Sequence, residues 1–486
     1  MQRLKFSRPF LVIVAFLLIT LGLTLAVRFL HKEIPQETPP PNSLIVSKTG
    51  CGQYESIGEA ISNASPGMRI LVRPGVYKEK VIIDRPIEVI GDKNGTDDEV
   101  VIENTSAACL WVRAKRVTVR GLTLRGLPKV RAGIFRLFQG GKPVEEPAVE
   151  VTESQCVIED CDITSEAVAG IGIQGYLADP VVRRCRIHDG DANGIWMLNH
   201  AKATIEDCEF WGTNWAALRV EDGASAALQR SRIHDVKNGG VVLLNYARAT
   251  INDCDIFDNA MSGVEARARS SATISKTRIH GCREHGIWFR GNSTGQVEHC
   301  EVSNNGMVGL QLMEDSSPII LASEIHDNLY SNIEIDRGAD PVVRGCKVYG
   351  GAGSGVYVYE SARGTVEDCE IFGQQRYQAV SIRTGANPTF RKCKIYDSPA
   401  GGVLVGDATA TLEDCDIYNN GFTGVWARQN ASPTIRRCKI NRNGRQAIAV
   451  HENASASVED SDLTANLGGA WDIRPECAVR SVRNKE

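Results

Sequence analysis

The segment ATIEDCEFWG, residues 203–212, returns as ATINDCDIFD at 249–258 and as GTVEDCEIFG at 364–373. Aligned on its cysteine, the phrase marks one equivalent residue at 161, 185, 208, 231, 254, 277, 300, 323, 346, 369, 393, 415, 438 and 461. Ten of the thirteen intervals are 23 residues, and the others are 22 or 24. Ten of the positions are Cys, and Ser231, Thr277, Ser323 and Ser461 complete the set. A fixed period in this range marks a solenoid, whose repeats bury their apolar faces only against their neighbours.

Each repeat reads as two short strands, one like TIEDCEF (Thr204–Phe210) and one like GIWFRGN (Gly286–Asn292) or GVYVYES (Gly355–Ser361). Glycine, asparagine and aspartate punctuate them, and no stretch sustains a helical period. Strands this short hold together only by pairing in parallel with those of the coils above and below. The expected fold is therefore all-β, a parallel β-helix of about 23 residues per coil.

Alternation groups Ile205, Cys208 and Phe210 as inward and Glu206 and Glu209 as outward. Ten cysteines then form an internal column with a rise of about 4.8 Å per coil, too wide for a ladder of disulfides. Buried thiols pack as small apolar groups, so neither disulfides nor a metal is expected there. The total of 15 Cys is odd, with Cys51, Cys109, Cys156, Cys282 and Cys477 outside the column. Outside, basic and acidic coils alternate as Arg186, Glu209, Arg232, Asp255, Arg278 and Glu301, falter at Glu324, and resume from Lys347 to Asp462. Such alternation supports stacking.

The chain has 486 residues, 42% apolar and 23% charged, with a net charge of −4. That balance excludes an acidic tail and offers no basic surface for nucleic acid. Phe10–Val27 is an uncharged apolar run flanked by Arg3, Lys5 and Arg8 before it and by Arg28 and Lys32 after it. It predicts an uncleaved signal anchor and transmembrane helix within residues 1–32, with the amino terminus cytoplasmic and the repeats extracytoplasmic, the alternative being a cleaved signal peptide. Residues 33–43 read as a Pro-rich tether, and 44–486 as the β-helix. Within it, 50–67 holds a short capping helix, the repeats run from about 69 to 465, and 466–486 closes the far end. About 16 surplus residues around Leu127–Pro147 predict a loop over one flank.

The segments GQYESIGEAI (Gly52–Ile61) and PGMRILVRPGVYKEKVIIDRPIEVIGD (Pro66–Asp92) resemble the leading part of pectinesterases and of F-box β-helix proteins. Asn387–Ile440 is similar to the repeats of the latter, which are substrate receptors of ubiquitin ligases. The resemblance spans about residues 45–470 and implies the right-handed parallel β-helix, or pectin-lyase-like, fold. Departures limit what it implies about activity. Those receptors place Asn where this column has Cys, and no F-box-like segment precedes the solenoid, so a ubiquitin-ligase role is not implied. The catalytic motifs of pectinesterases, alginate epimerases and polygalacturonases are absent from the sequence.

His188, His234 and His326, in IHD phrases, and His280 recur 46 residues apart. Two coils separate them by about 9.6 Å, too far to share a zinc ion. They read as corners stabilised by Asp189, Asp235 and Asp327. The outward face of the second strand is more informative. One column carries Trp196, Arg219, Glu265, Trp288, Glu334, Tyr357 and Trp426, and the next carries Glu221, Arg267, Arg290, Asp336, Tyr359, Arg383, Arg428 and His451. Aromatic faces stack on sugars or protein side chains, and arginines pair with carboxylates. The strip predicts a binding platform for a polysaccharide or a protein, without metal or cofactor. The rival expectation is a carbohydrate-active enzyme, a uronate lyase, epimerase or glycoside hydrolase, with Ca²⁺ only for lyase chemistry. Its candidate catalytic residues are Glu265, Arg267, Arg290, Glu334 and Asp336, the last two spaced as an inverting carboxylate pair. A third class is a structural spacer.

Overall fold

The computed structural model describes residues 37–92, 95, 98–105, 108–127 and 146–486. The expected anchor and most of the expected flank loop lie outside the described residues. Among the described residues no helix is long and apolar enough to cross a membrane.

One coil shows how the opening phrase folds. Lys202–Glu206 is a strand, Glu209–Trp211 a second and Leu218–Val220 a third. A complete coil therefore has three strands where the sequence suggested two. The repeated phrase contains a corner, because Asp207 takes the left-handed conformation (φ 55°), as do Asp253, Asp368 and Asp414 in their coils. Aspartate tolerates that conformation better than most residues. A single such residue turns the chain and resets its alternation, so Ile205 and Cys208, three apart, both point inward.

Corresponding strands stack into three parallel sheets, A, B and C, with 19, 16 and 17 strands among the described residues. The register is the sequence period: Thr204 pairs with Ala227 in sheet A, Phe210 with Ile233 in sheet B, and Leu218 with Val241 in sheet C. The core is a set of stacked columns of Ile, Val, Leu and Phe running the length of the molecule. Burial of such columns is the main favourable term in folding.

The ten column cysteines are between 0% and 5% exposed, and every cysteine is a free thiol. Cys208 donates from Sγ to Glu206 O at 3.3 Å. Ser231 shows why hydroxyls interrupt the column without harm. Its Oγ accepts from the Cys208 amide at 3.1 Å and donates to Gln229 O at 2.8 Å. Cys369 Sγ likewise accepts the Cys346 amide at 3.4 Å. Thiol and hydroxyl thus tie one coil to the next through the same atoms. A second ladder, of amides, occupies the corner between sheets B and C, where Asn420, Asn443 and Asn466 bond in series.

On the outside, Arg230 bonds Asp207 at 2.8 and 2.9 Å and Glu206 at 2.8 Å. Glu209–Arg232, Asp255–Arg278 and Glu370–Lys394 pair across neighbouring coils, and Glu301 faces Glu324 where the alternation falters. Exposed pairs add little individually, and the ladder chiefly avoids like-charge contacts.

The ends follow the same physics. The helix Ile57–Asn63 is capped by Ser56, whose Oγ accepts the Glu59 amide at 3.3 Å, and it buries Ile57, Ala60 and Ile61 over the first coil. Residues at the end of the expected tether lie against that coil: the Glu37 amide donates to Cys51 O at 2.8 Å, and Arg73 pairs with Glu37. At the far end, Trp471–Ile473 and Ala478–Val482 extend sheets C and A by a further rung.

Candidate functional site

Sheet C carries the predicted strip, and its pairing confirms the columns. Trp196 lies beside Arg219, Glu265 beside Trp288, and Glu334 beside Tyr357. The turns on either side rise around this face, so much of it is buried rather than open.

The first cluster is closed. Trp196 is 4% exposed and packs with Val168 and Ala169. Its Nε1 donates to Glu221 Oε1 at 2.6 Å, and Arg219 binds the other oxygen at 2.8 and 3.1 Å. These groups satisfy one another and leave no open aromatic platform at Trp196.

Two coils on, Glu265 accepts from Arg290 at 2.6 and 3.0 Å, with Arg267 at 3.6 Å. The Arg290 guanidinium lies 4.0 Å over the Trp288 ring, whose Nε1 donates to Met313 Sδ at 3.0 Å. Beside this ring sits His285, buried, with Nδ1 unpartnered among the described residues. Burial and the Arg290 charge push its pKa down to about 4, so it is neutral at physiological pH.

Glu334 and Asp336 occupy a different setting. Burial and the Asp336 charge hold the Glu334 carboxyl above the usual range, with hydrogen bonding from Ser331 opposing them. Burial likewise raises Asp336, against the Tyr359 hydroxyl and the Arg337 charge. Asp336 is 1% exposed and takes a bond from Gln311 Nε2 at 2.5 Å, while its Oδ1 has no hydrogen-bond donor among the described residues. Glu334 borders a cleft and Asp336 lies shut away, so the two do not present paired carboxylates to one substrate as the inverting arrangement requires.

That cleft, of about 260 Å³, is lined by Tyr330, Ser331, Glu334, Gly353, Ser354, Tyr357, Tyr377, Gln378, Ser381 and Arg383. Tyr357 stacks on Tyr359 at 4.5 Å, and Ser354 and Ser381 share a hydrogen bond of 2.9 Å. Arg383 makes no salt bridge or side-chain hydrogen bond among the described residues. A free guanidinium beside tyrosine rings suits a ligand bearing both hydroxyls and an acid group.

Gln378 also borders a second cleft of about 120 Å³, lined in part by Phe422, Trp426, Arg445, His451 and Asp472. Trp426 meets His451 edge-on at 6.0 Å, and its buried Nε1 lacks a hydrogen-bond partner among the described residues. Arg428 covers Trp426 at 4.9 Å and pairs with Glu452 at 2.8 Å. The predicted strip is thus divided: Tyr357, Arg383 and Trp426 border open clefts, whereas Trp196, Arg219 and Asp336 are enclosed. Tyr330, Tyr377, Gln378 and Phe422 stand in turns, where strand alternation does not project side chains. Only the 23-residue period, carried into the turns, would have found them.

The IHD histidines form an exterior stack on sheet B. His188 stacks on Trp211 at 4.1 Å, and His234 on Phe257 at 4.9 Å. His188 also bonds Asp189 at 2.9 Å and Asp162 at 3.1 Å. Burial disfavours its charge, yet those carboxylates outweigh burial and raise its pKa. Among the described residues no three His, Cys, Asp or Glu side chains converge as metal ligands would.

Comparison with known proteins adds the following. The profile of the right handed beta helix region matches residues 100–262, 242–377 and 331–480. The structure of XylC with xylose aligns at 11% identity and a TM-score of 0.45, over 59% of this chain and 76% of that one. Pectin methylesterase from carrot aligns at 15% and 0.34, over 54% and 85% of the two chains. The A-module of the Azotobacter vinelandii mannuronan C-5 epimerase AlgE6 aligns at 12% and 0.32, over 88% and 94%.

Proposed function

The chain belongs to the right-handed β-helix family, and on that scaffold we propose that the sheet C groove binds an extended polysaccharide. The observation that carries this reading is the cleft lined by Tyr330, Tyr357, Tyr377, Ser354, Ser381 and an Arg383 that has no salt bridge among the described residues. Rings provide stacking faces, the serines meet hydroxyls, and the guanidinium receives a carboxylate or sulfate. In the same reading the apolar segment Phe10–Val27 anchors the chain in a membrane and holds the groove outside the cytoplasm.

Calorimetry of the full-length protein in detergent against alginate, polygalacturonate and chondroitin sulfate tests the proposal. Binding of at least one, weakened about tenfold or more by Arg383→Gln and by Tyr357→Ala, is expected. Binding of none, or binding that both substitutions leave unchanged, refutes it.

One observation favours a second reading, that the groove also cleaves or epimerises its ligand. Glu334 borders the cleft with its carboxyl pKa raised by burial, which suits proton donation. New reducing or unsaturated ends that vanish in Glu334→Gln would support catalysis, and an unaltered polymer would leave binding alone.

A further inference from the structure

Three places before the sheet C strands that begin at Ile333, Val356, Val380, Val403 and Val425, the chain borders the two clefts. The register of that sheet makes Tyr330, Gly353, Tyr377, Ala400 and Phe422 equivalent in five successive coils. Large rings and small residues therefore alternate. Tyr330, Tyr377 and Phe422 are 55%, 56% and 47% exposed. The rings stand on every second coil, about 9.6 Å apart. The two clefts open where the small residues lie, one at Gly353 between Tyr330 and Tyr377 and the other at Ala400 beside Phe422.

This alternation discriminates between kinds of polymer. In an extended β-1,4-linked pyranose chain, each residue advances by nearly one coil rise and is flipped relative to the last, so the same face returns at every second residue. A three-fold chain returns that face only at every third residue and falls out of step with rings on alternate coils. An α-1,4 glucan curls away from a straight ridge.

Resting on the polysaccharide reading above, we infer that the groove selects a flat, two-fold, β-1,4-linked pyranose chain, one residue per coil, with alternate residues meeting Tyr330, Tyr377 and Phe422. The intervening residues lie over Gly353 and Ala400, where a larger side chain would lift the polymer from the ridge.

The test measures binding of the full-length protein in detergent to cello-, chito- and mannuronate oligomers from tetramer to heptamer, with maltohexaose and hexagalacturonate as α-1,4 probes. Affinity for at least one β-1,4 series should climb in two-residue steps. Tyr377→Ala should lower the hexamer affinity about tenfold, and adding Ala400→Tyr, which keeps the number of rings but breaks their alternation, should not restore it. An unchanged far-UV spectrum verifies the fold of each variant. Preference for an α-1,4 probe, a smooth gain per residue, or rescue by Ala400→Tyr would overturn the inference while leaving the polysaccharide groove standing. Binding of no probe, together with none of the three polymers above, would sink the groove itself.

Discussion

Replacing Asn443 by Ala should loosen one coil without unfolding the rest. Asn443 is 1% exposed, and its Oδ1 accepts from the Asn420 amide at 3.1 Å and from Asn420 Nδ2 at 3.0 Å. Its Nδ2 donates to Ile417 O at 3.1 Å and to Asn466 Oδ1 at 2.9 Å. Alanine removes all four bonds. The Asn420 side chain retains Ile395 O at 3.1 Å, but the Asn420 amide loses its acceptor. An orphaned buried N–H costs about 1–3 kcal/mol, and each lost bond about 0.5–1.5 kcal/mol more. Relaxation recovers part of this, so about 3 kcal/mol is expected, or about a hundredfold in the local opening equilibrium. Because solenoid stability is nearly a sum over neighbouring coils, the loss should stay local. Native-state hydrogen exchange read by mass spectrometry over residues 419–445 is the assay. The exposed Ser432→Ala, in a strand with ordinary backbone angles, serves as control and should change little. Protection in Asn443→Ala within a few-fold of the parent would refute the view that the amide ladder binds the coils.

Three more outcomes follow from the same geometry. His285 has its folded pKa lowered to about 4, below the unfolded value of about 6.5, so stability is full above that value and declines as pH falls toward 4. Thermal midpoints of His285→Gln should lack this decline; an identical pH profile would contradict it. Glu334 is raised by burial and then by Asp336, so its carboxyl favours the fold below the unfolded pKa and opposes it as pH rises past that value. Glu334→Gln should therefore melt higher at neutral pH with the gain vanishing in acid, and a gain of equal size at both would exclude the titration. Native alkylation should mark Cys51 and Cys477 alone, since the other thirteen thiols are buried and burial pushes Cys254 up to about 11. Denatured protein should reveal all 15 without reductant, and fewer would expose a disulfide.

The period at Cys161 through Ser461 carries the solenoid, the inward column and the charge ladder into view before any coordinates, because stacking maps a 23-residue step onto one rung. Alternation alone does not reveal the bend at Asp207, since one left-handed residue shifts the parity of everything after it. The amide ladder is masked by variety: the same corner holds Asn259, Cys282, Asn305, Asn328, Gln374 and Ser398 in other coils. The strip on sheet C is legible as columns but not as an open surface. Burial of Trp196 and Asp336 depends on how neighbouring side chains pack over the strands, which strand alternation does not reveal. Tyr377 shows the converse, an exposed ring in a turn that gains a residue, where the interval from Cys369 to Cys393 lengthens to 24.

Since every full rung repeats the same parallel backbone pairing with its neighbours, the molecule works as a ruler whose graduations are interchangeable in outline. Excising one whole graduation from the middle would rejoin equivalent atoms and shorten the instrument by about 4.8 Å, whereas removing half of one would set valine against arginine throughout the seam. Lengthening such a gauge requires only duplication in whole units, so the reach of the groove can grow or shrink while its cross-section stays constant.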